Sequence, residues 1–216
     1  MEIKTAVFDL DGTLLDSMPM WLTCGERYIS SLGMVAEPGL GEKLLSMNMK
    51  EGADFLRERY ALKLTDEEIF KGIDGVLEKT YGEEILFKEG AGEFLQKLKA
   101  GGTRIALCTN TDRCLFMPAF KRLDAEKYFD FIFTAGELGM SKAQPGIFYK
   151  VCETMGTKPE ETWMFEDALY SIRTAFRAGL KTCGIWDASA VADEAEIRKH
   201  STVYCRTYAE AERTFF

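Results

Sequence analysis

No run of about 18 apolar residues occurs anywhere in the 216-residue chain, so no segment is expected to span a membrane. The first residues also lack a basic stretch followed by an apolar one, which speaks against export. The six cysteines, Cys24, Cys108, Cys114, Cys152, Cys183 and Cys205, include no C-x-x-C pair of the kind that marks metal or redox sites. They read as reduced, mostly buried thiols of a cytoplasmic protein. Positive charge is scarce: 27 Lys and Arg stand against 35 Asp and Glu, a net charge of −8. That balance excludes a sequence-independent grip on nucleic acid, which needs clustered cations to release phosphate counterions. The one histidine, His200, reads as a solvated helix-end residue.

What is present is ordinary globular material, 46 % apolar and 29 % charged, with no internal repeat and no low-complexity tract. A chain of this length should bury roughly 70 % of the surface its unfolded form exposes. Short apolar, β-branched runs recur at Ile3–Asp9, Thr103–Thr109, Phe131–Thr134, Thr162–Phe165, Leu180–Ile185 and Val203–Cys205. Helical patterns separate them: Ala91–Lys99, Met117–Leu123, Gly146–Met155 and Leu169–Ala178, three of them stopped by Gly101-Gly102, Gly156 and Gly179. Continuous apolar strands alternating with helices predict an α/β fold, a Rossmann-like doubly wound parallel sheet covered on both faces.

From about Ser17 to Thr80 the strands disappear. Ser17 is placed to cap a first helix with Pro19 in its first turn, and pieces follow at Glu42–Ser46, Glu51–Tyr60 and Asp66–Lys79, the last with Thr65 as N-cap. The acidic run Asp66-Glu67-Glu68 suits a helix N-terminus. A small all-helical cap domain at 16–81, inserted after the first strand of a core made of 1–15 and 82–216, is the expected division.

Within the stretch FDLDGT, Asp9 ends the first strand and Asp11 lies in the turn beyond it. Two carboxylates about 4 Å apart repel by roughly 4 kcal/mol at an effective dielectric of 20, so something must offset that repulsion, and a metal ion with a reaction would do so. At the carboxyl edge of an open α/β sheet both acids stand where ligands bind. Four fixed residues in D-x-D-G-T should arise by chance in a chain this long on the order of once in a thousand.

The motif Asp9-Leu10-Asp11-Gly12-Thr13 resembles the first motif of the haloacid dehalogenase-like hydrolase superfamily, and three more follow in order: LCTNT with Thr109 and Asn110, ELGMSKAQPGIF with Lys142, and WMFEDALYSIRTAFRAG with Glu166 and Asp167. The likeness covers nearly the whole chain, and the helical insert is similar to the cap of the β-phosphoglucomutase-like branch. It implies that Asp9 attacks phosphorus to form an aspartyl-phosphate and that Asp11 protonates the leaving alkoxide, then activates water. It further implies a Mg²⁺ held by Asp9, the Asp11 backbone carbonyl and Asp167, with Glu166 behind them. Gly12, Thr109, Asn110 and Lys142 would meet the phosphoryl group.

Departures from the pattern are Ala143 after Lys142, where Pro is common, and Ala168 and Ser171, where Ser and Gly are common. Sugar phosphomutases of the branch carry a histidine in the first cap helix, where this chain has Met20 and Trp21. Met18, Met20, Trp21, Met47 and Met49 could line an adaptable pocket or pack within the cap, and Trp21 and Lys50 are the candidate specificity residues. The expectation is therefore a Mg²⁺-dependent phosphatase acting on a small phosphorylated metabolite, of unassigned oligomeric state. A β-phosphoglucomutase-like mutase and, as a non-enzyme, a receiver-like phospho-aspartate module are the alternatives.

Overall fold

A computed structural model describes residues 3–216. Six strands form one parallel sheet: β1 (Thr5–Phe8), β2 (Arg104–Thr109), β3 (Phe131–Thr134), β4 (Thr162–Glu166), β5 (Lys181–Ile185) and β6 (Val203–Cys205), in the order β3-β2-β1-β4-β5-β6. This is the doubly wound architecture predicted from the strand and helix alternation. The connections leave β1 toward β2 on one side and toward β4 on the other, so the order reverses at β1, and ligand crevices form at such a switch point.

The helices in chain order are α1 (Met18–Ser31), α2 (Leu40–Leu45), α3 (Met49–Tyr60), α4 (Asp66–Glu83), α5 (Ala91–Ala100), α6 (Arg113–Arg122), α7 (Ala135–Leu138), α8 (Gly146–Met155), α9 (Leu169–Arg177), α10 (Glu194–His200) and α11 (Tyr208–Phe215). The described residues divide into two compact units, one of 3–16, 86–113 and 120–216 and the other of 17–85 and 114–119.

In the sheet unit, alternate residues of β1 face opposite layers. Val7 joins Ile147, Phe148 and Val151 of α8 and Ala175 of α9 in one core. Phe8 stacks on Phe165 with ring centroids 4.3 Å apart and meets Phe94 of α5 edge-on, while Phe215 of α11 packs against Trp163 and Phe165. Burying each such ring contributes on the order of 2 kcal/mol, so β1 is pinned from both faces.

In the helical unit, Tyr28 and Ile29 of α1, Leu40 of α2, Ala53 and Leu56 of α3 and Ile69 of α4 form a core of their own. Thr65 caps α4 with a reciprocal bond to Glu68, as expected, and Asn48 does the same for α3 with Glu51.

Three local expectations are corrected. Ser17 occupies the N-cap of α1 but makes no side-chain capping bond. Helix α6 starts at Arg113 rather than Met117 and carries Pro118 inside it. Helix α4 runs on to Glu83, beyond Lys79, because Thr80 and Tyr81 are buried within it. Among the described residues no helix is long and apolar enough to cross a membrane.

Candidate active site

Asp9 follows Phe8 at the carboxyl end of β1, and its amide donates to the Phe165 carbonyl of β4 at 2.9 Å, which fixes the backbone across the switch point. Glu166 closes β4, and Asp167 follows it. Their carboxylates and that of Asp9 come within 4.8 Å of one another, all buried. Lys142 arrives from the loop beyond β3, after Thr134 caps the short α7 and Gly139 ends it in the left-handed conformation. Lys142 is 2 % exposed, and its ammonium bonds both Asp9 and Glu166 Oε2, the latter at 2.8 Å.

Three carboxylates against one ammonium leave two negative charges uncompensated in a buried site. Burial, with Glu166 and Asp11 adding to it and Lys142 opposing, pushes Asp9 up to about 8. Asp167 is driven well above the ordinary carboxylate range by burial and by the charges of Glu166 and Asp9. Burial works against the Lys142 ammonium, yet Asp9 and Glu166 outweigh it and hold its pKa well above the ordinary lysine value. An all-oxygen donor set short of positive charge is what a hard divalent cation fits.

Around this cluster the first turn is held by residues the sequence reading did not single out. The Thr13 hydroxyl donates to Asp167 Oδ1 at 2.8 Å, and the Thr111 hydroxyl donates to Asp11 Oδ2 at 2.6 Å. Gly12 has φ +78°, a backbone that L side chains rarely adopt. Its carbonyl accepts from Lys88 Nζ at 2.7 Å, and the same ammonium reaches the Trp186 carbonyl at 2.7 Å and Asp187 Oδ2 at 2.8 Å. The Tyr208 hydroxyl donates to the Thr13 carbonyl at 3.0 Å. Thr13 and Thr111 were legible in principle, since one completes the D-x-D-G-T motif and the other repeats the hydroxyl of Thr109. Lys88 and Tyr208 carry no local signal at all.

Thr109, buried at the end of β2, accepts from the Thr111 amide at 3.0 Å. Asn110 is exposed beside it, and its Nδ2 donates to the Tyr170 hydroxyl oxygen at 2.7 Å. At the two departures near the acidic pair, Ala168 donates its amide to Glu166 Oε1 at 3.1 Å, and the Ser171 hydroxyl is buried without a partner.

Asp9, Asp11, Gly12, Thr109, Asn110, Glu166 and Asp167 thus lie at strand ends or their following turns in the sheet unit, and Lys142 lies in the same unit beyond α7. Trp21 and Lys50 belong to the helical unit. There Trp21 donates its indole N–H to Tyr81 at 3.2 Å, and Lys50 pairs with Asp54 at 2.6 Å and Asp66 at 3.5 Å. Met20 is buried in that unit, whereas Met49 is 66 % exposed. His200 ends α10, its Nδ1 at 2.9 Å from the Glu196 carbonyl.

A family profile described as haloacid dehalogenase-like hydrolase matches residues 6–185. The phosphorylated carbohydrates phosphatase of Thermotoga maritima is 27 % identical over 179 residues, covering 83 % of both chains. The phosphoglycolate phosphatase of Nitrosospira multiformis is 27 % identical over 193 residues, covering 83 % of this chain and 81 % of its own. Among solved structures, CbbY from Rhodobacter sphaeroides in complex with phosphate superimposes with a TM-score of 0.79 at 21 % identity, over 97 % of this chain and 96 % of that one.

Proposed function

This chain belongs to the haloacid dehalogenase-like hydrolases, enzymes whose curated relatives here are phosphatases, and from that premise we propose a Mg²⁺-dependent phosphatase acting on a small phosphomonoester. The observation that carries the reading is the buried group of Asp9, Glu166 and Asp167 with Lys142 between two of them, on the strand ends that flank the switch point. The Asp9 and Asp167 carboxylates and the Asp11 carbonyl oxygen would hold the cation. When bound it supplies the positive charge that lets a carboxylate approach a phosphate dianion.

The Asp9 carboxylate attacks phosphorus, an Oδ–P bond forms and the P–O bond to the leaving alkoxide breaks. Asp11, oriented by the Thr111 hydroxyl, gives its proton to that alkoxide. The same carboxylate then takes a proton from water, which attacks the aspartyl-phosphate and releases inorganic phosphate, restoring Asp9. Thr109, Asn110 and the turn at Gly12 receive the phosphoryl oxygens, and Lys142 balances the charge that gathers there. The helical unit is read as the substrate-selecting cap, with Trp21 and Lys50 as its selecting side chains.

Phosphate release from p-nitrophenyl phosphate, sugar phosphates and phosphoglycolate, measured with MgCl₂, tests this. Wild type should turn over at least one of them, and Asp9→Asn should lose activity by 10³-fold or more, on the order expected when a nucleophile is removed. Isomerised sugar without phosphate release would favour the mutase. Full activity in Asp9→Asn ends the mechanism.

A further inference from the structure

Tyr170 is the second residue of α9, three places after Asp167, and is 44 % exposed. Its phenol oxygen accepts the hydrogen bond from Asn110 Nδ2 at 2.7 Å. An oxygen that accepts in this way still carries its own proton, and among the described residues no acceptor is bonded to it. Its charged neighbours are those of the acidic cluster. Burial pushes the hydroxyl up to about 12, Lys142 pulls the other way, and Glu166, Asp9 and Asp167 add to the rise. The group therefore stays a neutral donor through any working pH.

Asn110 stands exposed at the end of β2 with one of its two amide hydrogens on Tyr170, which leaves the other for a ligand. One N–H and one O–H donor on neighbouring groups, within electrostatic reach of the buried Lys142 ammonium, suit oxyanion oxygens, and a donor to a charged acceptor is worth more than a neutral pair. Position 170 lies between Ala168 and Ser171, the two places near the acidic pair where this chain departs from the family pattern.

We propose that Tyr170 is a further phosphoryl-binding residue, whose hydroxyl donates to an oxygen of the bound phosphoryl group while its oxygen holds the Asn110 amide in place for a second contact. The assignment rests on the phosphatase reading for its ligand, and its test is independent of turnover.

Tyr170→Phe keeps the ring and removes one O–H at an exposed position, so the melting temperature should not move. Inorganic phosphate is titrated calorimetrically into the full chain in MgCl₂. The variant should bind it about tenfold more weakly than wild type, the loss expected for one hydrogen bond to a charged group. In an Asn110→Ala background, Tyr170→Phe should still cost about threefold, because a direct donor acts without Asn110. Undiminished phosphate affinity in Tyr170→Phe overturns the proposal, and a second effect that vanishes in the Asn110→Ala background overturns the direct contact. A wild type that binds phosphate but hydrolyses no phosphomonoester sinks the phosphatase reading alone. Normal hydrolysis with unchanged phosphate affinity in Tyr170→Phe sinks the tyrosine alone, and a wild type that binds no phosphate sinks both.

Discussion

Thr13 and Asp167 are 154 residues apart in the chain, and the hydroxyl of one donates to the carboxylate of the other at 2.8 Å. The bond ties the turn after β1 to the turn after β4, and it leaves Asp167 one oxygen directed elsewhere. Groups that orient a metal-binding carboxylate typically matter 10–100-fold in metal affinity. Thr13→Val should therefore raise the MgCl₂ concentration for half-maximal activity by about that factor, and Thr13→Ser should restore it. An unchanged Mg²⁺ requirement in Thr13→Val would show that Asp167 needs no such support.

Asp11→Asn should separate the two half-reactions. The amide cannot activate water, so the Asp9 phosphoryl adduct accumulates and is visible by intact mass spectrometry after mixing with p-nitrophenyl phosphate. The adduct should vanish in the Asp9→Asn, Asp11→Asn double variant. An adduct on any other residue contradicts the assignment of Asp9.

Stability without metal should depend on pH in a definite direction. Burial and neighbouring negative charge raise Asp9 from the ordinary 3.8 to about 8 in the folded chain. The folded state therefore binds a proton that the unfolded state has released, and the associated stability is fully present below about pH 4 and lost as pH climbs toward 8. In EDTA the melting temperature should fall between about pH 5 and 8 more steeply than in MgCl₂, where a cation favours the ionised carboxylate. Equal slopes in the two solutions would sink this.

Ser171→Ala should stabilise the protein. The hydroxyl is fully buried and unpartnered near the start of α9, a state that costs on the order of 1 kcal/mol or more. Removing it should raise the melting temperature by about 2–4 °C for a chain of this size. A lower melting temperature would mean that the packing lost with the oxygen outweighs the hydrogen bond it lacks.

The sheet and the acids were readable because their signals are local. Each strand is a short apolar run, and Asp9, Asp11, Thr109, Asn110, Glu166 and Asp167 all sit within a few residues of such a run's end. Capping boxes are just as local, and Asn48 with Glu51 shows a pattern that was open to view. Ser17 has the right residue type for a cap but not the bond, since residue type alone does not set side-chain direction. Helix α6 was expected from Met117 but begins at Arg113 and carries Pro118, which withholds a backbone donor and crowds the preceding turn without ending the helix. The clamp of Lys88 reaches Gly12, Trp186 and Asp187, up to 99 residues away from it, and no periodicity encodes such a meeting.

The strand order carries a consequence for biosynthesis. β1 is made before every other strand and lies in the middle of the sheet, so in a nascent chain both its edges wait, first for β2 and then for β4. Until Glu166 and Asp167 leave the ribosome, Asp9 lacks the two acids that complete its cluster, and the Tyr208 donor to the Thr13 carbonyl comes later still. A half-finished chain thus holds an apolar strand with an unpaired edge, a hazard that ends with the same stretch of synthesis that delivers Glu166 and Asp167.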